Sequence, residues 1–176
     1  MNDPRYPVGP FQRPKAPLTP AERASCTDQI AALPGEFRRA FAGLTPAQLD
    51  TPYRDGGWTV RQVAHHVPDS HLNAYVRFKL ALTEENPAIK PYEEKRWAET
   101  PEVAATPVDV SLALLEALHL RWVTLLRALT PADFARTVQH PEWKRAPSLD
   151  DFLAMYAWHG RHHTAHVTTL RERKQW

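Results

Sequence analysis

The chain has 176 residues, a single cysteine, and 22 Lys and Arg against 20 Asp and Glu, for a formal net charge of +2. This length suggests one domain, 1–176, large enough to bury a real core. The dispersed basic residues argue against a nucleic-acid partner. Cys26 alone excludes an internal disulfide and any CxxC metal or redox motif, and no apolar run approaches the ~18 residues of a membrane span. The opening MNDPRYPVGPFQRPKAPL contains no apolar signal-peptide core, so a cytoplasmic location is expected. Any chemistry must then come from histidine, carboxylate or hydroxyl groups, or from a bound metal.

In chain order, residues 1–18 carry Pro4, Pro7, Pro10, Pro14 and Pro17 and should form an extended arm. Three phrases follow the same rule: Thr19-Pro20-Ala21-Glu22, Thr45-Pro46-Ala47-Gln48 and Thr130-Pro131-Ala132-Asp133. In each, Thr caps the free N–H groups of a helix start and Pro occupies the first helical position. The first long helix is expected over Pro20–Phe41, with a kink at Leu33-Pro34-Gly35. The second opens at Thr59, where Gln62 completes a capping box, and runs to Leu82. Residues 83–107 form a long crossover loop whose Ile89, Tyr92 and Trp97 should pack over one end of the domain. The third helix covers Val108–Leu129. The fourth opens at Ser148, with Asp151 three residues on, and runs to Arg173. Short helical turns are expected after Thr45 and Thr130. No strand pair is indicated, so the reading is all-α: an up-down four-helix bundle with a proline-rich arm and a long crossover.

The fourth helix contains WHGRHHTAHV at 158–167, with four of the nine histidines of the chain. On a helical wheel with His159 at zero, Leu149, Phe152, Leu153, Tyr156, Val167 and Leu170 fall between about 20° and 120°. His163 lies near 40°, so His159 and His163 form the inward pair. Their i,i+4 spacing can offer two nitrogens to one metal. His162 and His166 fall further out, as solvent-facing or supporting groups. On the second helix, His65 faces outward, His66 sits at the edge of the apolar stripe, and His71 lies closer to it. Burial alone favours His71 as a third ligand, while Pro68 should bend the helix near His66. His119, among Leu112, Leu115, Val123 and Leu126, reads as a hydrogen-bonded core histidine, and His140 as a loop residue.

The stretches DTPYRDGGWTVRQVAHH at 50–66, DSHLNAYVRFKLALTEENPAIKPYEEKRWAE at 69–99, LALLEALHLRWVTLLRAL at 112–129 and YAWHGRHHTAHV at 156–167 resemble the DinB/YfiT-like superfamily of metal-binding four-helix bundles. The resemblance covers nearly the whole chain and is nearest the YfiT type of metal-dependent hydrolase, a group linked to bacillithiol S-transferases. It implies a metal held by His66, the second His of AHH, and by the pair His159 and His163. It thus prefers His66 where the wheel favours His71. Pro68 departs from the pattern, which has alanine there.

Three imidazoles with an open position suit a catalytic divalent ion, zinc first and nickel as an alternative. The implied function is hydrolysis by a metal-activated water. The alternatives are a transferase that activates the thiol of bacillithiol as co-substrate, and a non-catalytic metal-binding stress-response bundle. HGRHH lacks the Glu of HExxH, which argues against a peptidase. Asn73 and Arg77 are catalytic candidates. Arg54, with Asp55, and the loop residues Tyr92 and Trp97 are candidates for binding an acidic thiol. A small-molecule substrate and a homodimer complete the expectation.

Overall fold

The computed structural model describes residues 3–143 and 145–176. Among the described residues eight helices follow in order: α1 Pro20–Phe41, α2 Pro46–Leu49, α3 Val60–Thr83, α4 Glu94–Trp97, α5 Pro101–Ala105, α6 Val108–Ala128, α7 Pro131–Phe134 and α8 Leu149–Lys174. No strand occurs among the described residues; three isolated bridges tie loops together. The helix starts are set by local chemistry. Thr19, Thr45, Thr59, Thr130 and Ser148 each accept a hydrogen bond from the backbone N–H of the third residue of the helix, and that residue's side-chain oxygen accepts one in return from the cap's backbone N–H. Helix α1 is continuous through Pro34 and α3 through Pro68. The crossover holds more structure than expected, in α4 and α5.

The four long helices form the bundle. Helices α1 and α3 each pack against both α6 and α8, so the two that are consecutive along the chain face each other diagonally. Cross-contacts fix the directions. At one end of α1 and α8, Arg23 and the Leu18 N–H donate to Asp150; at the other, Arg171 donates to the carbonyls of Ala40 and Ala42, so these helices are parallel. His65 meets Ser111 and His71 meets His119, so α3 and α6 are parallel. His66 meets His159 while Arg77 lies over Phe152, so α3 opposes α8. The directions run up, down, down, up. The crossover before α6 joins the parallel pair and breaks strict alternation.

Two apolar clusters fill the ends of the bundle. One includes Ile30, Phe78, Trp122, Phe152 and Leu153; the other includes Phe37, Val63, Leu115, Val167 and Leu170. Between them along α3, α6 and α8 lie His66, His71, His119, His159 and His163. Gly160 belongs to the same level. A Cβ there would come within 2.5 Å of Leu33 Cδ2, so glycine lets α8 approach α1 closely.

The arm packs on α8. Arg13 and Arg145 both donate to the buried carboxylate of Asp151, and the Trp158 indole donates to the Gly9 carbonyl at 3.0 Å. Phe11 sits 5.7 Å from Trp158, ring to ring.

Candidate metal centre

Helices α3 and α8 bring three imidazoles to one point. His66 Nε2 and His159 Nε2 are 3.3 Å apart. His163 offers a nitrogen that falls, with one from each of the others, within a mutual separation of 4.8 Å. Two nitrogens on one tetrahedral zinc at about 2.0–2.1 Å are separated by about 3.3–3.4 Å, so the spacing of the His66–His159 pair fits a shared ion. The donor set fits as well. Burial holds His66 down to about 3 and pushes His159 and His163 well below the ordinary imidazole value, so all three stay neutral with a lone pair available. Trp58 closes one side, 4.6 Å from the His66 ring and stacked at 6.4 Å on His163.

A second all-histidine group, His162, His163 and His166, shares His163 with the first. His166 Nδ1 lies 3.4 Å from His163 Nδ1, and its Nε2 lies 3.4 Å from the Arg5 carbonyl. Tyr53 stacks on His166 at 3.9 Å, and His162 lies between Trp158 and Tyr6. Burial lowers both His162 and His166 to about 4. These two were expected further out on the helix. The structure buries them because the arm and the Tyr53 loop cover that face, contacts to which helical periodicity is blind.

His65 is likewise corrected. It was expected outward, and it is buried, with Nδ1 at 2.7 Å from Ser111 Oγ of α6. His71 is fully buried, as the wheel indicated, but it stands behind His159. Its Nε2 is 3.2 Å from His159 Nδ1 and its Nδ1 is 2.9 Å from His119 Nε2. His119 Nδ1 donates to the Ile30 carbonyl at 2.7 Å. That carbonyl is open because the residue four positions on is Pro34, which has no N–H to give it.

The remaining candidates engage partners other than the three imidazoles. Asn73 donates to the Asp69 carbonyl one turn back on its own helix. Arg77 is buried over the Phe152 ring, with Nη2 3.5 Å from the Lys90 carbonyl. Arg54 donates to the Asp55 carbonyl and lies over Tyr53. Tyr92 is half-buried and rests on Trp97, ring centroids 4.7 Å apart, while Trp97 itself stays exposed, short of the packing expected for it. Asp69, absent from the candidates above, is a carboxyl that burial pushes up to about 6, one turn from His66. No spacing rule singles it out.

Comparison with known proteins agrees with this architecture. The chain is 55% identical, over the full length of both, to a Bacillus cereus (strain 03BB102) protein named "Putative metal-dependent hydrolase", and 54% identical over the same extent to a Bacillus anthracis (strain A0248) protein of that name. Among solved structures, YfiT from Bacillus subtilis, described as "a probable metal-dependent hydrolase with an unusual four-helix bundle topology", superposes with a TM-score of 0.94 at 45% identity, over 98% of each chain. The four-helix bundle protein TT2238 shares the fold at a TM-score of 0.55 and 21% identity, over 85% of this chain and 98% of its own. Residues 29–167 match the DinB superfamily, and the chain belongs to that family.

Proposed function

We propose that residues 1–176 act as one metalloenzyme domain, a hydrolase in which His66, His159 and His163 hold one divalent ion, zinc first and nickel as the alternative. The observation that carries this reading is the convergence of three neutral imidazoles from two facing helices, His66 and His163 buried and His159 half-buried, with the His66–His159 pair at the 3.3 Å spacing of a shared ion. The relatives named as metal-dependent hydrolases support it. When bound, such an ion polarises a carbonyl and lowers the pKa of a coordinated water towards about 7.

The chain's own residues supply the rest. The i,i+4 pair on α8 sets the angle between two ligands, and α3 brings the third across the bundle core, where sites of this architecture are built. Trp58 shields the His66–His163 side from water. The substrate is a small molecule, and the protein acts as a homodimer.

The second reading, a thiol S-transferase using bacillithiol, is favoured by one feature. No carboxylate joins either metal-capable group among the described residues, and coordination deprotonates a thiol without a protein base. The test assays metal-free and zinc- or nickel-loaded protein on ester and amide panels, and separately on bacillithiol with an alkylating electrophile. Metal-dependent hydrolysis supports the first reading. Conjugation without hydrolysis supports the second. Light scattering reads the dimer. No described helix is long and apolar enough to cross a membrane.

A further inference from the structure

The hydrogen bonds behind His159 run in one direction only. A carbonyl oxygen accepts and never donates, so the 2.7 Å contact at Ile30 places a proton on His119 Nδ1. A neutral imidazole carries one N–H, so His119 Nε2 is an acceptor. The 2.9 Å contact then places the proton of His71 on its Nδ1, and His71 Nε2 becomes an acceptor in turn. The 3.2 Å contact places the proton of His159 on its Nδ1. What remains at the end of the series is the bare lone pair of His159 Nε2, facing His66 Nε2 at 3.3 Å.

We propose that His71 and His119 are positioning residues that lock the tautomer and ring orientation of His159, so that its Nε2 lone pair faces the ion site before any ion arrives. The anchor is the Ile30 carbonyl, left open by Pro34, so a proline in α1 sets the proton position on α8 through two intervening rings. The stack is held laterally. Trp122 meets His71 edge-on at 5.7 Å and His119 at 5.8 Å, and Tyr156 meets His71 edge-on at 5.1 Å. Both histidines are fully buried, so no water competes for these nitrogens. Partners of this kind orient a ligating imidazole and raise its basicity, and their loss typically lowers metal affinity about 10–100-fold.

This inference rests on the metal reading for its purpose, but its first test does not. Nitrogen-15 spectra of ring-labelled histidines in the metal-free protein at neutral pH should show protonated Nδ1 and bare Nε2 for His119, His71 and His159. A proton on His159 Nε2 would overturn the proposal whether or not the protein binds metal. The second test compares zinc affinity of folded His71→Leu and His71→Gln, with helicity as the folding control. The glutamine amide oxygen can still accept from His159 Nδ1, so Gln should keep most of the affinity and Leu should lose about 10–100-fold. Equal loss in both variants, or no loss in either, contradicts the positioning role. Absence of zinc binding in the wild type would sink the metal reading and leave the tautomer measurement to decide the rest.

Discussion

At one end of the bundle the buried side chains are Ile30, Phe78, Trp122 and Phe152, and at the other Phe37, Val63, Leu115 and Leu170, whereas the level between them buries His66, His71, His119 and His163, with His159 half-buried. The apolar ends stabilise the fold by leaving water, each large side chain by about 1.5–3 kcal/mol. The histidine level does the reverse. Each imidazole gives up hydration and must recover it from a neighbour, and a buried polar group left unpaired costs about 1–3 kcal/mol. The comparison teaches that one bundle divides its labour by height: the ends hold the helices in place, and the middle uses that rigidity to keep five imidazoles neutral and aligned.

Acid should separate the two regions most strongly. His119 is held at about 4 against an ordinary 6.5, and His66 at about 3. The unfolded chain takes up these protons first, so their contribution is present above about pH 6.5 and is lost as pH falls towards the folded values. Asp151, held by Arg13, Arg145 and Ser148 to about 2 against 3.8, acts in the same direction lower down: its contribution is present above about pH 3.8 and fades towards pH 2. Urea midpoints should therefore fall steeply between pH 6.5 and 4, and a flat profile there would contradict the burial of the histidine level.

Phe37→Ala strikes an apolar end alone. It should lower unfolding free energy by about 3–5 kcal/mol in urea titration while zinc affinity stays within a few-fold. Asp150→Ala removes the acceptor of Arg23 and of the Leu18 N–H, joining the arm to α1 and α8. It leaves a largely buried guanidinium uncompensated, for a loss of about 3 kcal/mol by the same measurement. Gly160→Ala is the smallest change. Overpacking against Leu33 opposes the better helix propensity of alanine, so a net loss of about 1 kcal/mol is expected, read as a lower melting temperature. A more stable Gly160→Ala protein would show that the approach of α8 to α1 is not tight.

Much of the bundle was legible in the sequence because its signals are local. The four Thr boxes and the Ser148 box put the starts of five helices, α1, α2, α3, α7 and α8, on the right residues, and the apolar stripes placed the lengths within a turn. Helices α4 and α5 were missed because the loop's four prolines read as a long irregular crossover. The wheel paired His159 with His163 from one helix, but it measures burial and not direction. It therefore favoured His71, which is deeper than His66 yet stands behind His159. His65, His162 and His166 were misjudged for a related reason: Ser111, Tyr6 and Tyr53, which cover them, lie far away in the chain. The one readable clue to the His119–Ile30 bond was Pro34, whose effect is to open a carbonyl one turn earlier.

The central claim is that His66, His159 and His163 share one ion. Its most direct measurement is metal content and affinity by elemental analysis and zinc titration, for the wild type, each single alanine variant of these three, and His71→Gln. The account predicts one ion per chain, an affinity loss in each alanine variant beyond the roughly 10–100-fold expected for a supporting residue, and retention in His71→Gln. Undiminished binding in His66→Ala, or two ions per chain with the second lost on changing His162 or His166, would contradict it.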